Sequence, residues 1–518
     1  MKKQIRASLT LFATISIMLI AQLLFTLLEA ARFAELKKIA TVTADATVES
    51  LFAEYCQPLW DNYKLLAIDA ANSNGLVDFK YEEELIKRLN QEYFVVPDLY
   101  PGNRPVNLLR LGVDKVSPNS YTLITDSNGE VYKKLVSTYM QNNIGYETAK
   151  LLYDDYQAID SVTKNNNVNQ SGVGNAQKEL KKLSNASKGS TPSTTRAKSK
   201  TTTGTKTGIK TGTGTNKQAD SKDSKVVNPL DSVEQTQKKG ILSVVMKDME
   251  VSKKYVDLTD CVSKRSRQQG LNTPVVNTTW YDDALLEEYL LNNMSFYGNT
   301  KENKALSYEI EYIIAGNNSD EKNLKNVVNK ILLIREAANM AYLMSNPSKQ
   351  GEVTALAVAL GGISLNPGVI KAIEYGLLAG WAYCESILDL RALLSGEKIP
   401  IMKNDMTWTS DLMEIPALLS GNRKAKSVST GMNYKGYLGT LLLLNSDSTK
   451  CYRAMDIQEK TIRQIEGYSS FKMDNLICQT SVEIEYSFYT VFSSMVNIGE
   501  ISSNHFHIVR DSGYSYIK

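Results

Sequence analysis

Between Ala7 and Leu28 no side chain is charged, and large apolar residues from Leu9 to Leu28 occupy every side of a helix rather than one stripe. Roughly 20 residues at ~1.5 Å rise cross a hydrocarbon layer of ~30 Å, whereas the apolar part of a cleaved secretory signal runs to only ~7–15 residues. The pattern predicts a transmembrane helix over residues 7–29 with the lipid bilayer as its partner, in preference to a cleaved signal or a buried core helix. Lys2, Lys3 and Arg6 precede it. Basic residues before a first span favour the cytoplasmic side, so residues 1–6 are expected inside the cell and the long C-terminal part outside. Lys37 and Lys38 follow the span and reduce that asymmetry.

Beyond the span the apolar positions narrow to one stripe. Leu36, Ala40, Ala44, Val48, Leu51 or Phe52, and Tyr55 recur at intervals of three and four, the spacing of a single helix face. Pro58 is the first strong stop. The expected object is a long rod, half in lipid and half packed on an outer domain through small residues.

Later patterns divide the rest into residues 30–160, 161–225 and 226–518. In the first, Glu82 to Leu89 reads as a helix, Asn107 to Val113 and Tyr121 to Thr125 as two strands, Asp126 to Gly129 as a turn, and Val131 to Met140 as a helix. Residues 161–225 are rich in Asn, Thr, Ser, Gly and Lys. Too little apolar area exists there to offset ~1–2 kcal/mol of backbone entropy per ordered residue, which predicts a disordered linker. In the third, Tyr308, Ile310, Tyr312 and Ile314 alternate with Glu309 and Glu311, the pattern of a half-buried strand. Ser319 is expected to cap a helix whose packing face carries Leu324, Val328, Ile331, Ala338 and Tyr342. Val353–Ile363 is too short to span a bilayer, and Val369–Leu394 carries Lys371, Glu374, Glu385, Asp389 and Arg391. Both are assigned to the core, with Gly376 and Gly380 allowing close helix packing. Helices are expected at Leu438–Leu444 and Ile457–Ile465, and strands around Val482 to Phe492 and at Phe506 and Ile508. Helices on an antiparallel sheet make the class α+β.

A chain of 518 residues exceeds one average domain of ~150, so two or more folded units are expected. The formal net charge is only +3, and no nucleic-acid partner is expected. Lysines and arginines outnumber acids in the linker, which suits anionic cell-wall polymers or lipid head groups but equally a solvated spacer. Five widely spaced cysteines without a Cys-x-x-Cys pair argue against a disulfide framework or zinc motif.

Ala7 to Phe12, Leu28-Glu29-Ala30-Ala31-Arg32, Leu51 to Tyr55 followed by Leu59-Trp60, Tyr308 to Gly316, Leu332 to Asn339, and Trp381 to Ser386 with Asp389 together resemble an uncharacterised family of Gram-positive membrane proteins. The similarity covers both folded parts and leaves out the linker. Genes of that family commonly lie in clusters for tight-adherence (Tad/Flp) pili, which implies a minor-pilin-like or assembly role with pilin-like partners. Pilin-like precursors usually carry glycine before the apolar run and glutamate about five residues into it. Ala7 and Phe12 stand at those positions, which argues against processing by a prepilin peptidase. Glu29 lies at the outer end of the span and is expected either to pair with Arg32 or to align the helix against a partner subunit.

Candidate chemistry is sparse, and neither a catalytic residue nor a cofactor is expected. The chain has two histidines, His505 and His507. At i and i+2 they share one strand face and offer two metal nitrogens, without a third ligand at motif spacing. Glu309 and Glu311, with Arg335 and Glu336, form the best charged set, expected as a solvated strand face or a structural ion pair in preference to a general acid and base. The expected function is a membrane-anchored structural or assembly component of a surface pilus, with a tethered wall-polymer hydrolase or wall-binding protein as the alternative.

Overall fold

The charge-free opening stretch is the first half of one continuous helix, α1, Lys2–Ala53. The computed structural model describes residues 2–71, 75–95, 107, 110–141, 175–182, 228–247, 249–361, 366–492 and 505–517. Contacts gather these into two units that interleave along the chain: residues 1–155, 252–324 and 441–518 in the first, and 156–251 and 325–440 in the second. The sequence-order division into 30–160 and 226–518 is therefore not how the chain packs, because its last two strands return to the sheet begun near its start.

In the first unit that sheet has four antiparallel strands, β1 Ile68–Asp69, β2 Leu111–Leu123, β3 Leu476–Tyr489 and β4 His505–Ser515. β3 is central and pairs with the other three. Its inward residues Val482, Ile484, Tyr486 and Phe488 join Leu36, Ala40, Ala44, Val48, Leu51 and Phe52 of α1 in one core cluster. The helix Lys80–Phe94 shares that core through Leu85, Ile86 and Phe94. Small side chains on α1 let its backbone approach the sheet, and Phe33 fills the gap at one end against Phe488 and Phe506. The rod ends sooner than Pro58 implies. α1 stops at Ala53, Tyr55 is exposed, and Pro58 instead sits in the first turn of the next helix, Gln57–Tyr63, where its missing N–H is not needed.

Three sequence expectations are corrected here. The two strands read on either side of Pro118 are one strand, β2, with register shifts between Val113 and Lys115 and between Pro118 and Ser120. A proline is tolerated there because β2 is at the edge of the sheet. The alternating segment around Tyr308 is a helix, Glu309–Ala315, closed by Gly316 at φ 73°. Alternation signals a strand only when one face meets water, and here Glu309 and Glu311 are as buried as the residues between them. Within the expected disordered linker, residues 175–182 are helical; Ala176 is buried and Gln177 donates to the Leu230 carbonyl at 2.6 Å. The Thr/Gly-rich remainder of that linker lies outside the described residues.

The second unit is built around the helix Pro367–Leu394, which is almost entirely buried from Gly376 onward. The core assignment of this stretch agrees with the structure. Gly380 is a close-approach point, since a Cβ there would lie 3.0 Å from Leu230 Cδ2. Arg391 donates to the carbonyls of Val244, Leu418 and Leu419, tying the helices Ile241–Val245 and Ile415–Ser420 to this axis. Among the described residues, one helix is long and apolar enough to cross a membrane, the N-terminal one, and its apolar window is unburied. By length and composition it fits a membrane anchor or a signal sequence.

Candidate functional site

The point where α1 passes from bare to packed is a built junction. Glu29 is buried; its Oε1 accepts from Arg32 Nη1 at 2.8 Å and its Oε2 from the N–H groups of Val491 and Phe492 at 3.1 and 2.6 Å. Arg32 also donates to the Tyr489 carbonyl at 2.9 Å. Phe25 stacks on Phe492 with ring centroids 6.5 Å apart. A carboxylate just past the charge-free stretch thus accepts from the N–H groups that follow β3, while a guanidinium donates to the carbonyl at its end. Both readings of Glu29 centred on helix partners; the strand end is a partner that sequence spacing could not show. Ala7 and Leu28 lie inside α1, and Leu28 is exposed, like nearly every large apolar residue between Leu9 and Leu27.

Four buried charged residues of the second unit, Arg335, Glu385, Asp389 and Lys403, form a closed network. Arg335 Nε meets Asp389 Oδ2 at 3.0 Å, and its Nη1 donates to the carbonyls of Pro400 and Ile401 and to Tyr437. Lys403 Nζ contacts Asp389 Oδ1 at 2.6 Å and also pairs with Glu385. Glu385 accepts from the N–H groups of Thr409 and Ser410 as well. Asn339 bridges Ser386 and Asp389 at 2.9 Å each. Burial opposes ionisation of Asp389, but Arg335 and Lys403 outweigh it and hold the carboxyl below its usual range. Two cations lie against two anions in ion-pair contact, and a buried charge is tolerated only when such a partner is present. Nothing in this network is open to a substrate.

Glu309 and Glu311 are equally committed. Glu309 accepts from Tyr63 and from both the N–H and hydroxyl of Ser295, and Glu311 from the Tyr297 N–H. Both are fully buried, as a structural role requires. All five cysteines are free and buried. Burial pushes the thiols of Cys56 and Cys261 up to about 11 and about 12 respectively, far from the thiolate a nucleophile needs.

Sequence reading missed an open cleft of about 640 Å³ lined by Thr125, Asp126, Arg265, Arg267, Gln268 and Tyr452. At its lip Ser127 and Asn128 both hold positive φ, 52° and 55°, a costly conformation for side-chain-bearing residues. Arg267 lies 4.0 Å over the Tyr452 ring. Asp126 accepts from Leu123 N, Gly270 N and Thr273 Oγ1, so it shapes the wall and is not free as a base. His505 and His507 are exposed on β4, on the sheet face away from α1.

Searches among curated proteins and among solved structures returned no match. A family profile described as a family of unknown function (DUF5702) matches residues 219–488, which take in the network around Arg335, the buried helix Glu309–Ala315 and nearly all of β3. On that match, which covers more than half of its length, the chain belongs to the DUF5702 family.

Proposed function

We propose that this protein is a membrane-anchored, outward-facing structural or assembly component of a Tad/Flp-type surface pilus, acting in a minor-pilin-like way. The supporting observation is the division of α1. One half presents apolar side chains in every direction, with its apolar window unburied among the described residues, and the other half packs along an antiparallel sheet. Such a helix can exchange lipid for the helices of neighbouring subunits without disturbing its own domain, because the junction at Glu29 and Arg32 separates the two halves. The networks of buried charge support a packing role over a catalytic one. Cross-linking in intact cells tests the proposal: adducts to pilin or assembly-platform proteins are expected, and their absence under conditions where the chain is abundant would overturn it. The polar cleft beside Arg267 and Tyr452 supports a second reading, binding of a wall polymer; retention of the chain on purified wall material, lost in Tyr452→Ala, is its test.

A further inference from the structure

The two histidines acquire their missing companions only through strand pairing. On β4, His505 and His507 face the same way, opposite Tyr489 and Ser487 of β3. On the far side of β3, the register shift between Val113 and Lys115 leaves Asp114 out of the β2 ladder, and a bulge re-aims the side chain it carries. Ser487, between the two, donates to Asp114 Oδ1 at 2.5 Å. The other oxygen, Oδ2, lies 3.4 Å from His507 Nδ1. Glu485 Oε1 lies 3.0 Å from the same nitrogen. One ligand atom from each of Asp114, His505 and His507 falls within a span of 4.8 Å.

We infer that Asp114, His505 and His507 form a binding site for a divalent transition-metal ion of the zinc type, with Glu485 completing or orienting the set. Bonds of ~2.0–2.2 Å in a tetrahedral arrangement place ligand atoms ~3.3–3.6 Å apart, so the separations present need only rotamer adjustment. Two imidazoles and a carboxylate suit zinc over calcium or magnesium, which take oxygen ligands. The hydrogen bond from Ser487 is the outer contact that orients a ligating carboxylate. All three groups are exposed, so an ion reaches them directly, and its binding would staple β2 to β4 across β3.

The test uses the untagged full-length chain in detergent, titrated with Zn²⁺ by calorimetry. A single saturable equivalent is expected, with affinity falling at least ~10-fold in each of His505→Ala, His507→Ala and Asp114→Asn, and unchanged in Glu483→Gln on the same face. Since the chain has only these two histidines, Zn²⁺-dependent shifts of the imidazole resonances report on this site alone. These side chains are exposed, so the variants retain the fold. Absence of saturable binding, or binding undiminished in the double histidine variant, overturns the inference.

Discussion

Glu82 shows how one residue can carry a pH dependence that its local sequence does not announce. It lies in the first turn of the helix Lys80–Phe94, only 2% exposed, and its Oε2 has no hydrogen-bond partner. Burial pushes its pKa up from 4.5 to about 7. A carboxyl whose folded pKa is raised stabilises the fold most below its unfolded value and loses that contribution as pH rises through the folded value. Stability should therefore decline between about pH 4.5 and 7. Glu82→Gln should flatten that decline and, near pH 8, raise stability by up to ~3 kcal/mol at ~1.4 kcal/mol per unit. Thermal unfolding of both proteins across that range checks this; parallel curves would show that Glu82 is hydrated instead. At the same scale Arg335 and Asp389 illustrate what spacing conceals, since their contact joins residues 54 positions apart.

At the scale of elements, α1 is one helix with two environments, and Glu29 marks the change. Glu29→Ala removes the acceptor of two N–H groups and of Arg32, and leaving such donors without it costs about 1–3 kcal/mol. Glu29→Gln keeps a carbonyl oxygen in place and should lose less. Thermal unfolding that ranks wild type above Gln above Ala supports the junction; equal stabilities would mean that α1 is held by its apolar stripe alone. That stripe was legible from Leu36 to Phe52 because a helix packed on one side leaves a period of three to four. Glu309–Ala315 was not, because a helix buried on every side has no polar face to set the period, and its glutamates bond to Ser295 and Tyr297 from neighbouring loops.

For the whole molecule, the bare half of α1 sets the physical state of the protein. An unburied apolar helix of this size is incompatible with a dispersed monomer in water. The full chain should fractionate with membranes, whereas a chain beginning at Glu29 should remain in the supernatant and still unfold cooperatively, because the sheet and the packed half of α1 are intact. Fractionation together with a melting curve checks both halves of the prediction. A truncated chain that still pellets would place the membrane contact elsewhere.

By itself the sequence determined the features that depend on neighbours within a few turns: the charge-free helix, the stripe that follows it, the low-complexity stretch, the terminal strands and the α+β class. These rest on periodicity and on the cost of moving charge into lipid or ordering a chain without apolar area, all of which are local quantities. Tertiary structure alone decided which of the charges are core and which are exposed, that Pro118 lies within one edge strand, and that Asp114 stands beside His505 and His507. Those outcomes depend on pairings between residues from tens to hundreds of positions apart, where strand register and the demand that a buried charge find a partner outweigh local preference.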